Sequence, residues 1–236
     1  MKSEMKGKME RPGAILWDLD GTLIDSNEIH FHTWREALAA AGYELSRAQF
    51  LADVGKRNDE ILRGYFGADL HERDCARIAS LKEDRYRDMV RAGGVEMLPG
   101  ARQWIELLAA AGRKQAIATS APRLNLEVVV GVLGIRDLFG ALVSSEEVAA
   151  GKPDPDVFLE AARRLDVAPA DCLVIEDAPA GVVAARRAGM RVVGLQTTHT
   201  GIEADWVVAS PAELAEVLEF AALCHENEAE IAISRA

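Results

Sequence analysis

The chain has 236 residues, is 49% hydrophobic and 28% charged, and carries a net charge of −11. That length accommodates one large α/β domain, or a core domain with a smaller insert. The acidic balance argues against a nucleic-acid partner and against an anionic membrane surface, and no apolar run approaches the roughly 18 residues of a membrane span. The cysteines Cys75, Cys172 and Cys224 stand far apart with no C-x-x-C pair. This fits a reducing compartment and excludes a cysteine zinc cluster. The segment Met1–Glu10 is polar throughout and lacks the apolar stretch of a secretory signal. The expectation is a cytoplasmic protein with no obligate protein partner.

The first predicted element is a buried strand, Ala14–Trp17, which runs straight into Asp18-Leu-Asp20-Gly-Thr. Buried strands rarely end in paired acids, because like charges repel and each must be desolvated. A divalent cation removes that conflict, leaving one acid free to act as a nucleophile and the other to handle a proton. The ordinary reading of a bare D-x-D is a solvated turn; the apolar run before it and the Gly-Thr after it speak against that here. From about Ser26 to Gly94 only helical patterns follow: Glu28–Ala41 ending at Gly42, a capping box at Ser46-Arg-Ala-Gln49, Asn58–Gly64 and His71–Arg91. An all-helical insert after the first strand is a natural lid.

Beyond it, apolar runs at Gln115–Thr119, Ala141–Val143, Cys172–Glu176, Arg191–Leu195 and Trp206–Val208 alternate with amphipathic segments at Ala101–Ala111, Asn125–Leu133, Pro155–Leu165 and Ala178–Ala188. Such alternation predicts a parallel sheet covered on both faces, with ligands at the carboxyl ends of its strands. The polar motifs fall at or beside those ends. Ser120 follows the second strand, where a hydroxyl and free amides can hold phosphate oxygens; its plainer role is a helix cap. Lys152 lies in Gly151-Lys-Pro-Asp-Pro155, a stiff loop that fixes where the ammonium points, although an exposed lysine is the plainer reading. Glu176 and Asp177 end the fourth strand. Carboxylates there suit magnesium, while a favourable helix N-terminus is the plainer explanation, better for Asp177 than for Glu176. The tail after about Phe220 reads as a terminal helix or fray.

The order Asp18/Asp20, Ser120, Lys152, Glu176/Asp177 resembles the four motifs of the haloacid dehalogenase superfamily of phosphohydrolases and phosphomutases. The helical insert places the resemblance in the subgroup with a helical cap, which includes β-phosphoglucomutase and many sugar phosphatases. The resemblance implies a Rossmann-like, doubly wound parallel α/β core, residues 1–25 and 95–236, with an all-helical cap at 26–94. It implies that Asp18 becomes an aspartyl phosphate, that Asp20 is the acid and base, and that Ser120 and Lys152 hold the phosphoryl oxygens. Mg2+ would be held by Asp18, the Asp20 carbonyl and Asp177, with Glu176 supporting.

Within the cap, Asn27-Glu-Ile-His30 is similar to the first cap helix of the mutases, Gly55-Lys-Arg57-Asn to their phosphate-binding cap loop with the spacing off by one, and Lys82-Glu-Asp-Arg-Tyr86 to a further cap stretch. This carries substrate-binding roles to His30, Arg57 and Lys82. The plainer reading is a buried polar histidine and two surface cations. The stretch Ala121-Pro122-Arg123-Leu124 departs from the mutase pattern, with Arg123 still able to supply charge. The expectation is hydrolysis of a small phosphate monoester such as a sugar phosphate; the alternative is mutase-type isomerisation. Remoter alternatives are a haloacid dehalogenase, which needs no metal, and a phosphoreceiver domain, which has about half this length and no helical insert.

Overall fold

The computed structural model describes residues 12–217. The predicted terminal helix after Phe220 lies outside them. The chain opens with β1 (Ala14–Trp17), every residue of which is buried. A turn at Gly21 leads into a two-residue strand, β2 (Ile24–Asp25). Four helices follow: α1 (Asn27–Ala40), α2 (Arg47–Asp53), α3 (Asn58–Phe66) and α4 (Glu72–Arg91). The capping box at Ser46 forms as expected, with the Ser46 hydroxyl accepting from the Gln49 amide and the Gln49 side chain accepting from the Ser46 amide. These helices bury their own apolar cluster, including Phe31, Trp34, Leu38, Phe50 and Leu62. The chain returns through β3 (Glu96–Met97), which pairs antiparallel with β2. That short ribbon, too brief to leave a periodic signal, closes the base of the helical insert.

The remainder alternates: α5 (Ala101–Ala110), β4 (Lys114–Ala118), α6 (Arg123–Leu133), β5 (Ala141–Val143), α7 (Asp156–Leu165), β6 (Cys172–Glu176), α8 (Pro179–Arg187), β7 (Arg191–Leu195) and β8 (Trp206–Val208). The six long-range strands form one parallel sheet in the order β5-β4-β1-β6-β7-β8. Period-two geometry sends Ile15, Trp17, Ile117 and Ile175 into one apolar cluster with α5 and α6, and Leu16, Ala118 and Val174 into another with α7 and α8. The sheet is therefore covered on both faces, the arrangement that makes its strands continuously apolar. No helix among the described residues is long and apolar enough to cross a membrane.

This order reverses direction at β1, with β4 on one side and β6 on the other. A crevice opens at such a switch point, beyond the carboxyl ends of the strands. Parallel register puts Trp17 beside Ile175, so that Asp18 and Glu176 leave the sheet side by side, and the Asp18 amide donates to the Ile175 carbonyl at 3.0 Å.

On α7, Phe158 is fully buried against this face, and the Lys152 ammonium lies 4.8 Å from its ring centre. Phe158→Ala should lower the free energy of unfolding by about 3–5 kcal/mol, the range for truncating a buried aromatic. Urea denaturation monitored by circular dichroism tests this; a loss under about 1 kcal/mol would contradict the placement of α7.

Candidate active site

A cleft between the sheet's carboxyl ends and the helical insert is lined by Asp18, Asp20, Ser120, Glu176 and Asp177 from the core and by His30, Lys56, Lys82 and Glu83 from the insert. Lys152 comes up beneath it. Its ammonium donates to Asp18 Oδ1 and to Glu176 Oε1, both at 2.6 Å, and is itself 1% exposed. Burial disfavours the ammonium, yet the two carboxylates outweigh this and push its pKa above the ordinary lysine range. Burial also drives the Asp18 carboxyl well above its usual value, with Lys152 pulling it back and Glu176 and Asp177 pushing it up. Glu176 is tied at both ends, its other oxygen accepting from the Ala178 amide at 2.7 Å. A side chain at position 181 would occupy the space of the Glu176 carboxylate, which explains the glycine there.

Asp177 differs. Thr22 Oγ1 donates to its Oδ1 at 3.3 Å, while Oδ2 is buried and has no hydrogen-bond partner among the described residues. Asp18, Glu176 and Asp177 each offer an oxygen within 4.8 Å of the others. At Gly21 (φ 79°) any Cβ would run into Asp177. A carboxylate oxygen buried without a donor, beside two more carboxylates, fits a hard divalent cation. Glu176 is the least available of the three, because both its oxygens already have partners; its geometry is that of a residue holding Lys152.

Asp20 turns toward the insert. Its Oδ1 accepts from Ser26 Oγ at 2.6 Å and Tyr86 Oη at 3.2 Å, and lies 3.0 Å from His30 Nε2. The His30 ring stacks on Tyr86 with centroids 4.3 Å apart. Burial raises the Asp20 carboxyl, but His30 and Ser26 outweigh it and hold it at about 2. Ser120 lines the cleft with its hydroxyl oxygen buried and unpartnered among the described residues.

Two residues expected to bind substrate, Arg57 and Arg123, do not line the cleft in this structure. Arg57 does not line the cleft; its neighbour Lys56 does. The turn at Gly55 (φ 88°) sends the Arg57 side chain over Gly151, where its guanidinium pairs with Asp59 at 3.4 Å. Arg123 is also outside. As the first residue of α6 it reaches Glu127 one turn on (2.8 Å) and Glu147 (3.4 Å), away from the cleft. Sequence reading missed Ser26, Glu83 and Tyr86. Helical spacing held a clue, since Ser26 stands four residues before His30 and Tyr86 four after Lys82, on shared helix faces.

Residues 12–189 match the family described as haloacid dehalogenase-like hydrolase. The chain belongs to that family. It is 33% identical over 207 residues to the β-phosphoglucomutase of Bacillus subtilis (strain 168), covering 85% of this chain and 91% of that protein. It is 32% identical over 190 residues to the fructose-1-phosphate phosphatase YqaB of Escherichia coli (strain K12), covering 79% and 98%. The crystal structure of CbbY from Rhodobacter sphaeroides in complex with phosphate matches with a TM-score of 0.76 at 30% identity, covering 86% of this chain and 96% of that one. The protein is accordingly a phosphatase or phosphomutase of this family.

Burial first, and then Glu176, push the Asp177 carboxyl from 3.8 to about 8. The folded chain thus holds this proton more tightly than the unfolded one. The resulting stability is full below the unfolded value and is lost as pH rises through about 8. Metal-free protein should melt at a lower temperature at pH ~8.5 than at pH ~5.5, and added Mg2+ should raise the melting temperature more at the higher pH, where it displaces no proton. Asp177→Asn should flatten both responses. Equal Mg2+ shifts at the two pH values, or an undiminished shift in Asp177→Asn, would contradict the assignment.

Proposed function

We propose that the protein hydrolyses small phosphate monoesters, sugar phosphates among them, through a phosphoryl group carried on Asp18. The observation that carries this reading is the buried Asp18, with Lys152 on Oδ1 and a second acid, Asp20, two residues further on at the mouth of the cleft. An Asp18 oxygen attacks phosphorus, the bond from phosphorus to the substrate oxygen breaks, and the proton that His30 shares with Asp20 passes through Asp20 to that leaving oxygen. Water then attacks the phosphoryl group and gives its proton to Asp20, and the bond to Asp18 breaks. Inorganic phosphate leaves and both acids return to their starting states. The polar contacts of Asp20 fall on Oδ1, which keeps Oδ2 for proton exchange, with His30 near enough to share the proton. Ser120 and Lys152 hold the phosphoryl oxygens.

Asp18, the Asp20 carbonyl and Asp177 would hold Mg2+, with Glu176 behind them. Bound there, the cation offsets the charge of the phosphate. In this reading residues 26–94 form the cap, which with the described core residues 12–25 and 95–217 excludes bulk water while the first transfer takes place. Support for water as the second acceptor comes from the cap loop, where Arg57 faces Asp59 and Gly151 instead of the cleft, and from Pro122, which brings no hydroxyl. The mutase reading is favoured by the likeness to a β-phosphoglucomutase.

Sugar phosphates supplied with Mg2+ should release inorganic phosphate. Asp18→Asn should abolish release, and Asp20→Asn should slow it by roughly 10²–10⁴-fold, the usual contribution of a positioned acid–base group. Wild-type turnover in Asp18→Asn would sink the mechanism. Conversion of β-glucose 1-phosphate to glucose 6-phosphate with little free phosphate would replace hydrolysis by isomerisation.

A further inference from the structure

The cap side of the cleft carries two lysines and two acids, matched one to one. Lys56 Nζ lies 2.7 Å from Asp53 Oδ1, and Lys82 Nζ lies 2.8 Å from Glu83 Oε1; all four residues line the cleft. The first pair is partly exposed and therefore screened and adaptable. The second is buried, with side-chain exposures of 4% and 6%.

Glu83 is held by three donors. Lys82 and Asn58 Nδ2 (2.7 Å) share its Oε1, and Asn125 Nδ2 reaches its Oε2 at 2.5 Å. Asn125 belongs to α6 of the core and is fixed in turn by Arg87 at 2.8 Å. Burial pushes the Glu83 carboxyl up, but the charges of Lys82 and His30 and the hydrogen bonds from Lys82 and Asn58 together outweigh it and hold it below the usual range, so Glu83 is ionised. Lys82 itself sits over the rings of Trp34 and Tyr86, 5.2 and 5.4 Å from their centres. An ammonium built in this way is committed. Turning it toward a new anion would strip a buried carboxylate of its partner, which is strongly unfavourable. Apart from His30, which is paired with Asp20 at 3.0 Å, the rest of this wall carries no charge and includes Leu45, Phe50 and Ile61.

We propose that Glu83 is a specificity-determining residue: by cancelling Lys82 it makes the cap wall electrically neutral, so the cleft takes monoesters with an uncharged far end and rejects a second phosphate. The inference rests on the reading of the site as one for phosphoryl transfer. A second phosphate would face the Glu83 and Asp53 carboxylates, and the two lysines of that wall are already paired. Juxtaposed like charges of this kind act chiefly on selectivity.

The test is calorimetric binding to the full chain carrying Asp18→Asn, so that no ligand is consumed. The probes are two pairs: fructose 1-phosphate with fructose 1,6-bisphosphate, and glucose 6-phosphate with glucose 1,6-bisphosphate. With Glu83 intact, each monophosphate should bind at least about tenfold more tightly than its bisphosphate. Adding Glu83→Gln, which keeps the shape and leaves Lys82 unpaired, should tighten the bisphosphates by about tenfold and change the monophosphates by less than about threefold. Adding Lys82→Met as well should remove that gain. A bisphosphate bound as tightly as its monophosphate when Glu83 is intact would overturn the inference without any need for the second variant to fold. A Glu83→Gln protein with a native circular dichroism spectrum and no gain for bisphosphates would do the same. If none of the four ligands bound, the sugar-phosphate reading of the site would fall and this inference with it.

Discussion

Asp18, Glu176 and Asp177 are buried together at the ends of adjacent strands, and Lys152 is the ammonium set between the first two at 2.6 Å from each. Burying three carboxyl groups and an ammonium together is costly, and removing one partner from such a cluster typically costs about 3–5 kcal/mol. Much of the surrounding structure exists to make the cluster tolerable. The parallel register of β1 and β6 sets two of the acids side by side. Phe158 on α7 underlies the ammonium. Gly181 and Gly21 leave room for the carboxylates of Glu176 and Asp177. One oxygen, Asp177 Oδ2, is left without a donor among the described residues. The protein's own groups thus satisfy the cluster except at the point where a cation fits.

The second acid of the first motif joins this cluster to the cap. Asp20 is only two residues from Asp18, yet its carboxylate is held by Ser26, His30 and Tyr86, all on the cap side of the first motif. Burial, and then the charge of Asp20, raise the Tyr86 hydroxyl pKa well above its usual value, so it remains a donor. The position of the Asp20 carboxylate therefore depends on where the cap sits, whereas that of Asp18 depends on the sheet. Division of labour between the sheet and the helical insert follows from the sequence interval between the two acids: a step of two along an extended end would send both to the same face, but the turn at Gly21 releases the second from the sheet's constraint.

The legible part of this structure is the part governed by short-range physics. Apolar runs such as Cys172–Glu176 coincide with strands because a two-sided sheet demands continuous burial. The motif residues at strand ends meet because parallel strands bring all their carboxyl ends to one edge. Less legible was anything decided by a turn or by contact between distant helices. Lys56 and Arg57 are adjacent cations, and only the Gly55 turn determines which faces the cleft. The ribbon of β2 and β3 has two residues per strand, too few for a pattern. The network of Asn58, Glu83 and Asn125 joins three helices and has no signature in any one of them.

The central claim is that Asp18 carries the phosphoryl group. Its most direct test is to mix the Asp20→Asn variant with a turned-over sugar phosphate and Mg2+, quench in acid, and locate the phosphoryl group by peptide mass spectrometry. The account predicts a phosphorylated peptide with the group on Asp18, accumulating because the second step lacks its base. A phosphoryl group on another residue, or phosphate release by this variant with no phosphorylated protein at any time point, would contradict it.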